Sequence, residues 1–77
     1  MHKLSNISLR LFRKFLKSEG FTAIRTKGGH EHWSRPDLNR DFPIQTHIDP
    51  VPEFIVHNLL RVIDMSRKEF LEKITKL

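Results

Sequence analysis

The chain has no cysteine among its 77 residues, so neither a disulfide framework nor a thiolate zinc site is open to it. That absence fits a reducing, cytoplasmic setting. Long apolar runs are missing too: Arg10, Arg13 and Lys14 break up the first hydrophobic stretch, where a signal peptide would be continuous. No segment approaches the roughly 20 apolar residues needed to span a bilayer, so a soluble chain without a membrane partner is expected. Repeats, low-complexity tracts and linker-like stretches are also absent, which predicts a single domain over residues 1–77. A chain this short buries one sheet face and two or three helix stripes. It leaves no room for a separate cofactor domain, and no cofactor is predicted. Glycine is scarce, at three residues, and two of the three stand side by side.

What is abundant is positive charge. The 14 Lys and Arg against 9 Asp and Glu give a net charge of +5 and an isoelectric point near 10.1. In so small a domain this favours a polyanionic partner, nucleic acid ahead of a membrane surface.

Periodicity divides the chain into six elements. Ser8 is placed as the N-cap of a helix running to about Glu19, with Leu11, Phe12, Phe15 and Leu16 at helical spacing and Arg10, Arg13, Lys14 and Lys17 on the other side. Gly20 follows where a left-handed C-terminal cap is expected. The pattern then alternates through "FTAIRT", meets Lys27-Gly28-Gly29-His30, and returns as "HEHWS". A two-residue Gly-Gly loop suits a type I′ hairpin turn, which needs positive φ at both central positions. "RPDLNRD" reads as a loop, and "FPIQTHI" as a third strand in which Pro43 demands a late start or an edge position. Helical spacing resumes from about Pro52 through Ile55, Leu59, Val62 and Ile63. Ser66 as N-cap, Glu69 three residues on, and Met65 opposite Phe70 form a capping box with a staple. They open a last short helix whose apolar stripe is Phe70, Leu71, Ile74 and Leu77. The expected class is α+β: an antiparallel three-stranded meander with the helices on one face and a short extra C-terminal helix.

The two-residue turn sets a register: Lys27 opposite His30, Thr26 opposite Glu31, Arg25 opposite His32, Ile24 opposite Trp33. Because side chains alternate along a strand, Ile24 and Trp33 are expected to face the helices, together with Phe42, Ile44 and Ile48 of the third strand. The open face then gathers Arg25, Lys27, His30, His32, Gln45 and His47. His2, near the chain terminus, and His57, on the outer side of a helix, read as ordinary exposed residues.

Three chemistries fit such a face. In RNA cleavage the ribose 2′-OH is the nucleophile, so a base must take its proton, an acid must protonate the departing 5′-oxygen, and cations must meet the developing charge. Histidine suits both proton transfers near neutral pH, and Lys27 or Arg25 can hold the phosphate. Metal binding by His30, His32 and His47 is the second; His-x-His on a strand puts two imidazoles on one face. No Cys, Asp or Glu stands at motif spacing to complete such a site, and strand parity sends Glu31 to the opposite face, so no metal is assigned. The third is a basic surface that tracks phosphates without catalysis.

The elements Gly20-Phe21, Lys27-Gly28-Gly29-His30, and Pro43 followed by His47 resemble the core of HicA-type messenger-RNA interferase toxins. Leu59-Leu60 and Met65-Ser66-Arg67-Lys68-Glu69-Phe70 are similar to that family's closing pattern, so the likeness covers nearly the whole chain. Its specific part is Lys-Gly-Gly-His. The resemblance implies a double-stranded-RNA-binding-domain-like α-β-β-β-α fold, cleavage of messenger RNA without a ribosome, and a HicB-type antitoxin as protein partner. It carries the family's catalytic histidine over to His30. Lys27, Arg25, Gly28, Gly29, His32 and His47 are the expected RNA- or phosphate-binding residues around it. The chain departs from the family at Phe54-Ile55, where a Gly-Thr pair is usual, and in the Arg35–Asp41 loop, which lacks a common glycine. A non-catalytic module that binds RNA or a protein remains the alternative.

Overall fold

The computed structural model describes residues 4–77. Helix α1 (Leu9–Ser18) is followed by strands β1 (Thr22–Lys27), β2 (His30–Ser34) and β3 (Phe42–Gln45), then by helices α2 (Glu53–Val62) and α3 (Arg67–Ile74). The strands form one antiparallel sheet in the order β1-β2-β3. The α+β class and the α-β-β-β-α order with a third helix are therefore those expected. Among the described residues no helix is long and apolar enough to cross a membrane.

Local chemistry explains where α1 starts and stops. The backbone N–H of Leu11 donates to Ser8 Oγ (3.0 Å), and that of Leu9 donates to Asp49 Oδ1 (3.0 Å), 40 residues away. A hydroxyl and a carboxylate thus satisfy free donors at the positive end of the helix. At the other end Gly20 takes φ +88°. Phe21 N–H then reaches the Leu16 carbonyl (3.0 Å) and Gly20 N–H the Lys17 carbonyl (3.1 Å). These two bonds define a Schellman motif, and buried Phe21 and Leu16 supply its apolar pair. Helix α2 ends the same way, with Asp64 at φ 55° and Met65 N–H on the Leu60 carbonyl (2.9 Å).

The core joins Phe12, Phe15 and Leu16 of α1, Trp33, Phe42 and Ile44 of the sheet, Val56, Leu59 and Leu60 of α2, and Phe70 and Ile74 of α3. Phe15 and Phe70 meet edge to face, ring centroids 4.8 Å apart, which ties the last helix to the first. All three helices pack on the sheet face that carries Trp33. Ser66 Oγ accepts from Glu69 N–H (3.0 Å), as a capping box requires. The Glu69 carboxylate turns instead toward Lys73 (3.5 Å), so only half of the reciprocal box forms.

Four expectations about side-chain placement are corrected. Ala23, and not Ile24, lies opposite Trp33, because the ladder is irregular between Ala23 and Arg25. The extra residue leaves Ile24 45% exposed. The pairs nearer the turn keep the register that the turn imposes, so the slip is confined to the far end. No β1 residue is buried, so nothing on the helical side holds Ile24 in place. Strand β3 stops at Gln45, and Thr46 and His47 form a turn; Ile48 is only half-buried. On α2 the buried set is Val56, Leu59 and Leu60, which rotates the expected stripe and leaves Val62 47% exposed. Leu77 is likewise exposed, since α3 ends at Ile74 and only Phe70 and Ile74 of its stripe are buried.

Candidate functional site

The site is built on a hairpin whose turn dictates what faces what. Gly28 and Gly29 adopt φ +58° and +81°, left-handed values that side-chain-bearing residues avoid and a type I′ turn requires. The turn pairs Lys27 with His30, Thr26 with Glu31 and Arg25 with His32. On the other side of β2, His30 pairs with Gln45 and His32 with Pro43. Lys27, His30 and Gln45 therefore form one row across the open face, and Arg25, His32 and Pro43 the next.

The third strand clamps the tip of the hairpin. The Gly29 carbonyl accepts from Thr46 N–H (3.0 Å) and from Thr46 Oγ1 (3.2 Å). This bond fixes the parity of the β2–β3 ladder: Phe42, Ile44 and Thr46 donate toward β2, and the Pro43 nitrogen lies on the outer edge. Proline therefore costs the ladder nothing at this position, and it blunts the free edge against a further strand.

His47 has left the strand, and its imidazole packs over Gly29. A Cβ at Gly29 would lie 3.4 Å from His47 Cε1 and 3.5 Å from Nδ1. Gly29 thus serves twice, by its positive φ and by the room it leaves for the ring. The structure brings His47 to the hairpin tip, beside the Lys27–His30 row, through the turn instead of through strand alternation.

The second row contains a residue that sequence reasoning missed. Asp41, just before β3, places Oδ2 at 2.9 Å from Arg25 Nη2 and 3.8 Å from His32 Nδ1. Asp41 and the His32 side chain are about one quarter exposed, Arg25 about half. Arg25 is thus partly engaged, although a guanidinium has five N–H donors and keeps others for a ligand. Lys27 and His30 are exposed, and no ion pair engages either among the described residues. Alternation offered a faint signal for Asp41, since it falls two residues before Pro43 on the open side. Its place in a loop hid that parity.

The reverse face of β2 holds a different network. Glu31 accepts from Arg13 Nε (3.0 Å) and Nη2 (3.1 Å) and from Trp33 Nε1 (2.8 Å). Arg13 therefore leaves the basic outer side of α1 to which periodicity assigned it, and bolts the helix to the sheet. Arg10, Lys14 and Lys17 remain exposed on α1. At the end of β2, Arg35 donates to the Glu19 carbonyl (3.1 Å), pairs with Asp37, and lies 5.1 Å over the Phe21 ring. The hydrogen bond to Asp37 raises the Arg35 pKa above its ordinary value, and the same bond lowers that of Asp37.

Beyond the β3 edge an open groove of about 580 Å³ runs to α2, lined by Leu38, Arg40, Asp41, Pro43, Arg61 and Val62 among others. Elsewhere on α2, Phe54 is 62% exposed. Among the described residues, no three His, Asp or Glu side chains cluster as a metal ion would need. His57 lies on the exposed side of α2, 3.9 Å from Glu53, and His2 lies outside the described residues. Compared with protein families, with curated proteins and with solved structures, the chain matches none.

Proposed function

We propose that this protein is a HicA-like toxin, a small metal-independent endoribonuclease acting on messenger RNA with His30 as a general acid or base. The observation that supports this most is the glycine turn, which sets exposed Lys27 directly across from exposed His30. An imidazole with an ammonium on the neighbouring strand is what 2′-OH transesterification asks of a protein. The ring moves the proton, and the cation meets the charge that gathers on the phosphate oxygens. In that reaction the 2′-oxygen bonds to phosphorus and the bond to the 5′-oxygen breaks. One proton leaves the 2′-OH, one arrives on the 5′-oxygen, and the products are a 2′,3′-cyclic phosphate and a free 5′-hydroxyl.

The α-β-β-β-α order is the one expected of a double-stranded-RNA-binding-domain-like fold, and the net charge of +5 suits an RNA partner. Arg25, His32 and His47 border the Lys27–His30 row and are assigned to the RNA-binding surface, with Gly28 and Gly29 shaping it. The second partner in this reading is a HicB-type antitoxin covering that surface in the cytoplasm. Exposed Phe54, at a position where the family usually has a small residue, adds apolar contact area for a protein.

The test uses purified protein and a labelled RNA oligonucleotide in the presence of EDTA, alongside the same strand with 2′-deoxy sugars. Wild type should cut only the ribose strand, and His30→Ala should lose about 10²–10⁴-fold in rate with an unchanged circular dichroism spectrum. Retention of uncut RNA by both proteins would support a non-catalytic binding module instead. Cleavage of the deoxy strand would eliminate the 2′-OH mechanism, and loss of wild-type cleavage in EDTA would restore a metal.

A further inference from the structure

In-line cleavage needs proton transfer at both apical oxygens of the phosphorus, and His30 supplies one group. We infer that His32 is the second proton-transfer residue, with Asp41 as its positioning residue; this rests on the ribonuclease reading above. His30 and His32 stand two residues apart on β2 and share the open face, a separation of about 7 Å from the strand repeat. A phosphate seated between them presents its entering and leaving oxygens to different rings. Lys27 and Arg25, paired across from the two histidines, place a cation on the same side in each row.

Asp41 singles out His32. Its Oδ2 lies 3.8 Å from His32 Nδ1, longer than a hydrogen bond but near enough for the carboxylate to attract that edge of the ring. The short contact from Arg25 to the same oxygen (2.9 Å) keeps the carboxylate from rotating away. A carboxylate beside a working imidazole helps to orient it. His32, the ring with that carboxylate, is assigned proton donation to the departing 5′-oxygen, and His30 the removal of the proton of the 2′-OH. His47 has no such support: it sits in the turn beyond β3, against Gly29, and no carboxylate pairs with it among the described residues.

The experiment compares two oligonucleotides with one cleavable ribose, identical except that sulfur replaces the 5′-bridging oxygen in the second. A thiolate leaves without a proton, so the sulfur substrate bypasses the acid alone. On the oxygen substrate His32→Gln should lose on the order of 10²-fold, and Asp41→Asn about 10- to 100-fold, as when other working histidines lose an orienting partner. On the sulfur substrate both should return to near the wild-type rate, while His30→Ala stays slow on both. Lys27→Gln, which removes a phosphate-binding cation outside the Arg25–Asp41–His32 group, should gain nothing from sulfur; this separates proton transfer from a general loss of rate. Wild-type cleavage with an undiminished Asp41→Asn, or a His32→Gln as slow on sulfur as on oxygen, overturns the assignment and leaves the ribonuclease reading intact. No wild-type cleavage of the oxygen substrate overturns both.

Discussion

The sheet has an arginine–carboxylate pair on each face, and the two are built differently. On the helical face, Glu31 takes two hydrogen bonds from Arg13 and one from Trp33, and its side chain is only 15% exposed. The carboxylate is well satisfied, and the network closes α1 onto the sheet. On the open face, Asp41 meets Arg25 through one short contact, Arg25 is 54% exposed, and an imidazole lies beside them. Spare donors there are free for a ligand. A partly buried charged pair is best satisfied internally, because a polar group shielded from water is costly to leave unpaired. The same pair in solvent can remain incomplete at little cost, and an incomplete pair can bind something.

Breaking the closed pair should have the largest effect on stability. Glu31→Ala strips the Trp33 indole N–H and the half-buried Arg13 of their acceptor, and a loss of about 1–3 kcal/mol is expected. Urea denaturation read by the fluorescence of Trp33, the single tryptophan, measures it directly. An unchanged midpoint would show that the inner network contributes nothing to the fold.

Breaking the open pair should scarcely register in the same experiment. Arg25→Gln is expected to shift stability by about 0.5 kcal/mol or less, as for other exposed ion pairs. Its effect should appear in RNA retention, with weaker binding. The salt dependence should become shallower by about 0.7 in the log–log slope, the share of one phosphate-bound cation on a single strand. A large stability loss with unaltered RNA retention would reverse the roles given to the two faces.

A third pair, on the rim between α1 and α3, extends the comparison to its smallest member. Lys73 donates to Glu19 (3.1 Å), and chiefly that hydrogen bond holds the ammonium pKa above its ordinary value. A raised folded-state value stabilises the fold fully below the unfolded lysine pKa, and the contribution vanishes as pH rises through the raised value. The gap in urea midpoint between wild type and Lys73→Gln should therefore be small at pH 7 and should close in strong alkali. A gap that widens with pH would contradict the sign.

The hairpin is legible in the sequence because its determinants are local. Gly28 and Gly29 permit one kind of turn, and that turn aligns Lys27, Arg25, His30 and His32 without help from the rest of the chain. Ile24 escapes such a reading because the alternation signal carries no mark of a bulge, and no helix packs on β1 to enforce its parity. Val62 escapes it because the apolar arc of α2 is broad: Ile55, Leu59 and Val62 repeat as helically as Val56, Leu59 and Leu60. Arg13 looks solvent-facing because it lies one helical step, about 100°, from buried Phe12, on the border between core stripe and solvent.

By itself, the sequence determined what neighbouring residues settle among themselves: the Ser8 cap, the Gly20 stop, the type I′ turn, and which side of β2 carries the histidines. Tertiary structure alone decided which charges distant in sequence meet. Glu31 is 18 residues from Arg13, and Asp41 reaches Arg25 and His32 only because β3 lies beside β2. Backbone dihedral preferences act within a few residues and can be read from type and spacing. A long polar side chain finds its partner only after the chain has packed, when the cost of leaving it unpaired depends on what surrounds it.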